Sequence, residues 1–171
     1  MHPSAYSFIA SLVEKITPYG VVRSRTGIDI GGRDVNGNAR EMFHHTVWDV
    51  LDRKDGEDVT IQADAAAWIP RQVYDIVVCT EVLEHSPLWE DIVRTCVKCL
   101  DRNGHFVLTC AATGRGQHGE DGNTLPPGEY YGNIDPYRLL LVLTEFRGLI
   151  WRSFTYDPSC GDVYFYGVRG W

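Results

Sequence analysis

Gly27-Ile28-Asp29-Ile30-Gly31-Gly32-Arg33-Asp34-Val35-Asn36-Gly37 decides how the rest of the chain is read. A short apolar run carrying one acid meets a glycine pair, then a polar turn and the expected start of a helix. In open α/β sheets such a strand–turn–helix corner is where ligands bind. Glycines let the backbone come close, and the start of the helix presents unpaired N–H groups to an anionic moiety. The spacing is not G-x-G-x-x-G, so the dinucleotide fingerprint is absent. Gly32 and Gly37 have four residues between them but are followed by Asn38-Ala39, not Lys-Ser/Thr, which excludes a P-loop. Taken alone, a turn rich in Gly, Asn and Asp reads equally well as a plain turn.

Outward from this corner the chain alternates. Phe8, Ile9, Leu12, Val13 and Ile16 share one face of an N-terminal cap helix within 1–20. The first strand covers about 27–30, and a helix is expected from Asn38 to His44. Strands follow at 47–51 and 59–63, with no room for a full helix between them. Tyr74-Asp75-Ile76-Val77-Val78-Cys79 is the clearest buried strand, a β-branched run with punctuation on both sides. Ser86-Pro87 opens a helix, with Ser86 as N-cap and Pro87 at its first position, that stops at Asn103-Gly104. A strand at 105–111 leads into 112–133, a Gly- and Pro-rich segment without periodicity. Asp135-Pro136 starts the last helix, through Phe146, and strands at 149–156 and 162–168 form an antiparallel pair. The pattern predicts one α/β domain over 1–171, a doubly wound and mostly parallel sheet.

Lys and Arg number 16 against 23 Asp and Glu, a net charge of −7, which disfavours a nucleic-acid partner. The odd set of five cysteines, with no leader-like N-terminus, points to reduced thiols and a cytoplasmic setting. Cys96 and Cys99 form a C-x-x-C inside an expected helix with no second pair, so they read as core thiols and no metal is expected. No run approaches the roughly 18 apolar residues a membrane span needs.

Acids recur at strand ends: Asp29 in the first strand, Asp52 after the second, Asp64 after the third and Glu81 after the fourth. In a parallel sheet these ends border one crevice. Asp52 lies 23 residues beyond Asp29, close to the offset at which a carboxylate accepts both hydroxyls of a ribose.

These residues, and above all Thr80-Glu81-Val82-Leu83-Glu84-His85 after the fourth strand, resemble the class I S-adenosylmethionine-dependent methyltransferases over about 27–111. The resemblance implies a seven-stranded sheet in the order 3-2-1-4-5-7-6, its last strand pair antiparallel, with helices on both faces. It also implies S-adenosyl-L-methionine as cofactor. Gly31 and Gly32 would face the methionine part, and Asp29 would orient that loop and the ammonium. Asp52 would hold the ribose hydroxyls, Asp64 with Ala65 would meet the adenine, and Glu81 would lie near the methionine end. The family's loop is usually G-x-G-x-G, and Arg33 occupies its third glycine place. Arg33 is open to pairing with the cofactor carboxylate, with Asp34 or with Asp55.

Methyl transfer is an in-line displacement at a sulfonium methyl, so the protein need only align the nucleophile and take a proton from it. His118, in the substrate-side loop 112–133, is the candidate catalytic base, with His85 as rival. Arg115, Tyr130 and Tyr131 are candidates to line an acceptor site for a small molecule. The loop itself is expected to act as a lid over the cofactor's methyl end, mobile when empty and ordered by ligand, with a passive connector packed against the sheet as the alternative. Base amino-methylation uses an Asn/Asp-Pro-Pro-aromatic turn, and cytosine C5 methylation a Pro-Cys nucleophile; neither stands after the fourth strand. A non-catalytic module that holds the cofactor, or acts through a partner, is the alternative to an enzyme.

Overall fold

A computed structural model of the chain describes residues 2–18 and 23–170. Helix α1, Pro3–Ile16, starts with Pro3 where the missing N–H costs nothing, and buries Ala5, Ile9, Leu12 and Ile16. Their spacing of four, three and four residues is one face of a 3.6-residue repeat. Residues 1, 19 and 20 of the expected cap segment lie outside the described residues.

The strands are β1 Arg25–Ile30, β2 Thr46–Asp52, β3 Ile61–Gln62, β4 Tyr74–Thr80, β5 Leu100–Ala111, β6 Leu149–Asp157 and β7 Asp162–Arg169. They form one sheet in the order β3-β2-β1-β4-β5-β7-β6. All pairings among β1 to β5 are parallel. β7 runs antiparallel to both β5 and β6. This is the expected fold.

Helices α2, Trp89–Cys99, and α3, Pro136–Thr144, complete the layers. The period-two alternation of β4 assigns its side chains to opposite faces. Ile76 and Val78 pack in one cluster with Ile9, Leu12 and Ile16 of α1. Val77 and Cys79 pack in the other, with Ile92, Val93 and Cys96 of α2 and Leu139 and Leu143 of α3. The C-x-x-C thiols are both buried there, so they serve the core as expected. Asp135 Oδ1 caps α3 by accepting from the N–H groups of Tyr137 (2.8 Å) and Arg138 (3.2 Å).

Several local expectations need correction. No α-helix forms over 38–44; Arg40–Met42 makes a single 3-10 turn. A stretch that short gains too few hydrogen bonds to offset nucleation. Phe43 leaves it in extended conformation and His45 is left-handed, with φ 55°. The third strand is two residues, because Thr60 spends its side chain on the ladder: its Oγ1 accepts from Val50 N at 2.8 Å. α2 begins at Trp89, not Pro87, since Ser86 Oγ accepts from Leu88 N (3.2 Å) and closes the preceding turn instead of capping the helix. It ends at Cys99, before Asn103-Gly104. β5 starts at once, and Asn103, with φ 61°, sits in the register shift opposite Tyr74–Ile76.

Candidate functional site

The carboxyl ends of β1, β2 and β4 open into a cleft of about 170 Å³. That is many times the space one water needs, so it suits an organic ligand. Asp29, Gly31, Gly32, Asp52, Asp64, Ala65 and Glu81 all border this one cleft. His118 does not border it; it stands behind His85, which does.

The glycine turn is bonded to the neighbouring strand: Gly31 N and Gly32 N both donate to Leu51 O, at 2.7 and 3.3 Å. Gly31 is left-handed, φ 71°, and a Cβ there would sit 2.4 Å from Val82 Cγ2. A Cβ on Gly32 would sit 2.4 Å from Asp29 Cγ. No larger residue fits either place.

Asp29 is buried, and burial raises its carboxyl to about 6 despite the opposing charge and hydrogen bond of Arg40. Arg40 clamps the turn. Its Nη1 donates to Asp29 Oδ2 at 2.9 Å and to Gly32 O at 2.5 Å, while Nη2 donates to Asp58. No local pattern in the sequence marks Arg40. Its only signal is indirect: a buried Asp29 requires a partner.

Asp52 accepts from Arg33 N at 3.3 Å and Lys54 N at 2.8 Å, and Arg33 Nε lies 3.9 Å from its Oδ1. Arg33 therefore pairs with Asp52, not with Asp34 or Asp55. Its alkyl stem lies over Gly56, where a Cβ would meet Arg33 Cγ at 3.0 Å. Asp64 folds its own turn, with Oδ1 accepting from Ala66 N at 2.9 Å.

Glu81 is left-handed, φ 58°, which turns the chain sharply at the end of β4. Its Oε1 accepts from Thr109 Oγ1 at 2.8 Å, and burial raises its carboxyl. Glu84 is wholly buried and neither of its oxygens makes a hydrogen bond of ordinary geometry, although the backbone of Glu84 and Ala111 lies close enough to ease its charge. Burial and the Glu81 charge push its carboxyl well above the usual range. Burial lowers His85 to about 4, with His118 adding to the effect.

His85, His118 and Tyr131 form an edge-to-face trio with centroids 5.2, 5.5 and 4.8 Å apart. His118 Nδ1 lies 3.0 Å from Gly116 O, a carbonyl that can only accept, so Nδ1 carries a hydrogen and Nε2 is the other ring nitrogen. Of the other acceptor-side candidates, Tyr130 is exposed. Arg115 donates to both oxygens of buried Asp162, at 2.9 and 3.2 Å, and Tyr164 Oη donates to the same carboxylate at 3.0 Å.

The 112–133 loop crosses the cleft. Asn36 Nδ2 donates to Asp121 O (2.8 Å), Lys54 Nζ lies 2.6 Å from Glu120 and 3.3 Å from Glu129, and Arg53 pairs with Glu120. Glu120 borders the cleft, and neither it nor Arg53 is marked by any motif.

A seven-stranded sheet of this order with a glycine turn and acids at its strand ends defines a doubly wound α/β protein with a ligand crevice at the strand ends. The family model described as "Methyltransferase domain" matches residues 21–108, just over half of the chain, and the protein belongs to that family. No curated protein matches the sequence. Solved structures share the fold. One is 1,6-didemethyltoxoflavin-N1-methyltransferase from Burkholderia thailandensis, bound to 1,6-didemethyltoxoflavin and S-adenosylhomocysteine, with TM-score 0.66 and 11% identity over 98% of this chain and 79% of that one. The N-methyltransferase NodS from Bradyrhizobium japonicum has TM-score 0.66 and 14% identity over 98% and 96%. Magnesium protoporphyrin IX methyltransferase from Synechocystis PCC 6803, with bound S-adenosylmethionine, has TM-score 0.61 and 15% identity over 96% and 79%. Among the described residues no helix is long and apolar enough to cross a membrane.

Proposed function

We propose that the protein is an S-adenosylmethionine-dependent methyltransferase acting on a small molecule. One observation carries this reading: Asp29, Asp52, Asp64 and Glu81, from separate strand ends, converge on a single cleft beside a glycine turn. In it Gly31 and Gly32 admit the methionine part and Asp29 orients that loop and the ammonium. Asp52 accepts from the ribose hydroxyls, Asp64 and Ala65 flank the adenine, and Glu81 borders the methionine end. Bound there, S-adenosylmethionine would supply an activated methyl group, and His118, against the cleft-lining His85, would be the group to take the acceptor's proton. The five free thiols, four of them buried, support a reducing, cytoplasmic setting. The whole chain acts as one domain, with 112–133 over the acceptor side.

Arg33 beside Asp52 is the observation that favours a non-catalytic module, because its guanidinium competes with a ribose for the same carboxylate. Thermal melting tests cofactor binding, and release of S-adenosylhomocysteine with candidate small-molecule acceptors then separates an enzyme from a module that only holds the cofactor. Stabilisation by both S-adenosylmethionine and S-adenosylhomocysteine is expected of the enzyme. An unmoved melting temperature with either ligand ends that reading.

A further inference from the structure

We infer that Glu84, His85 and His118 bind one divalent transition-metal cation at the acceptor end of the cleft. Each residue offers a ligand atom, and the three atoms lie within 4.8 Å of one another. Ligands on one such ion are separated by about 4 Å or less, given metal–ligand bonds of roughly 2.0–2.2 Å. Side-chain rotations that move the ligand atoms by about an ångström close the gap.

Three further observations point to a ligand. Glu84 is wholly buried, and among the described residues neither carboxylate oxygen makes a hydrogen bond of ordinary geometry, the backbone of Glu84 and Ala111 being its nearest polar neighbours. A buried polar group left that way is costly, a cation satisfies it, and Glu81 adds a second carboxylate to its surroundings. His85 Nδ1 is likewise buried without a hydrogen-bond partner among the described residues. His118 is already oriented as metal-binding histidines are: one ring nitrogen donates to a backbone carbonyl, Gly116 O at 3.0 Å, and the other is free.

The donor set selects the ion. Two imidazoles and one carboxylate suit Mn²⁺, Fe²⁺, Co²⁺ or Zn²⁺, whereas Ca²⁺ prefers oxygen alone. Three protein ligands leave coordination positions open. His85 borders the cleft, so an acceptor presenting a hydroxyl oxygen, or two vicinal ones, can complete the shell there. This assignment of acceptor class rests on the methyltransferase reading; the cation site does not. With a cation bound, His118 would be a ligand in place of the base role given above, and the hydroxyl would owe its acidity to the metal.

The test uses the full chain, freed of metal by chelator and titrated with Co²⁺. Calorimetry and visible d–d absorption are the readouts, and neither needs turnover. One equivalent is expected to bind with the spectrum of a mixed nitrogen–oxygen site. Glu84→Gln, at a buried position, risks misfolding, so His118→Ala on the half-exposed loop is the deciding variant. It is expected to weaken Co²⁺ binding on the order of 100-fold or more, beyond what loss of an outer-shell partner produces. Absence of Co²⁺ binding, or binding equally tight in His118→Ala and His85→Ala, overturns the site and leaves an aromatic packing cluster. S-adenosylhomocysteine is titrated in parallel into the metal-free protein. Its binding without Co²⁺ binding defeats the metal site alone. Co²⁺ binding that depends on His118, without S-adenosylhomocysteine binding, upholds the site and defeats the proposed function.

Discussion

Arg40 Nη1 lies 2.9 Å from Asp29 Oδ2, and the two side chains are only 10% and 4% exposed. The same guanidinium holds Gly32 O and Asp58, so one residue fixes the glycine turn to the β2–β3 connection. Removing it strands a buried carboxylate. Arg40→Met is expected to cost about 3–5 kcal/mol, the range for breaking one side of a buried pair. Urea denaturation checks this, and a loss under about 1 kcal/mol would show that water readily replaces the guanidinium.

Asp29 also sets a pH dependence. Its folded carboxyl titrates at about 6 against 3.8 for the free side chain, so the folded state holds the proton longer. The stability this group contributes is complete below pH 3.8 and is lost as pH rises through 6. The rise from 3.8 to about 6 corresponds to about 3 kcal/mol. Denaturation of the parent and of Asp29→Asn across that window is expected to give a difference that grows with pH in favour of the variant. A constant difference would mean that Asp29 is ionised throughout.

Gly31→Ala places a Cβ 2.4 Å from Val82 Cγ2 at φ 71°. Left-handed strain alone costs roughly 1–2 kcal/mol, and the clash adds to it. The variant is expected to melt lower and to lose S-adenosylhomocysteine binding, because Val82 lies on the cleft wall. Gly37, also left-handed but with nothing near its Cβ, is the control: its alanine variant bears the strain without the clash. Equal melting of the two variants would remove Val82 from the argument.

Asp52→Ala removes the carboxylate proposed for the ribose. The loss is expected to be about 1.5–3 kcal/mol, or roughly ten- to a hundred-fold in S-adenosylhomocysteine affinity by calorimetry. Arg33→Ala frees the same carboxylate and is expected to act in the opposite direction. Affinity untouched by both changes would relocate the ligand.

What could be read from the sequence followed from local chemistry. The β-branched run of β4 and the recurrence of acids after successive strands are short-range patterns, and a parallel sheet converts them into one cleft. Contacts between distant segments left no such trace. Arg40 meets Asp58 and Arg53 meets Glu120 across turns whose course depends on the finished fold. The helix expected at 38–44 failed for a related reason: Arg40 and Phe43 are drawn into tertiary contacts, and the stretch is too short to resist them. Glu84 was visible as a letter in a motif, but its complete burial is a property of packing.

The loop that carries Glu120 over the cleft to Arg53 and Lys54 is also the loop that carries His118. On the proposed function one segment would both cover the cofactor and furnish the acceptor's side, which has a kinetic consequence. The cofactor has to enter before the acceptor's site is assembled, and the spent cofactor is held until the methylated product has gone. Turnover is expected to follow a compulsory order, with S-adenosylhomocysteine competing against S-adenosylmethionine alone and the methylated product competing against neither substrate.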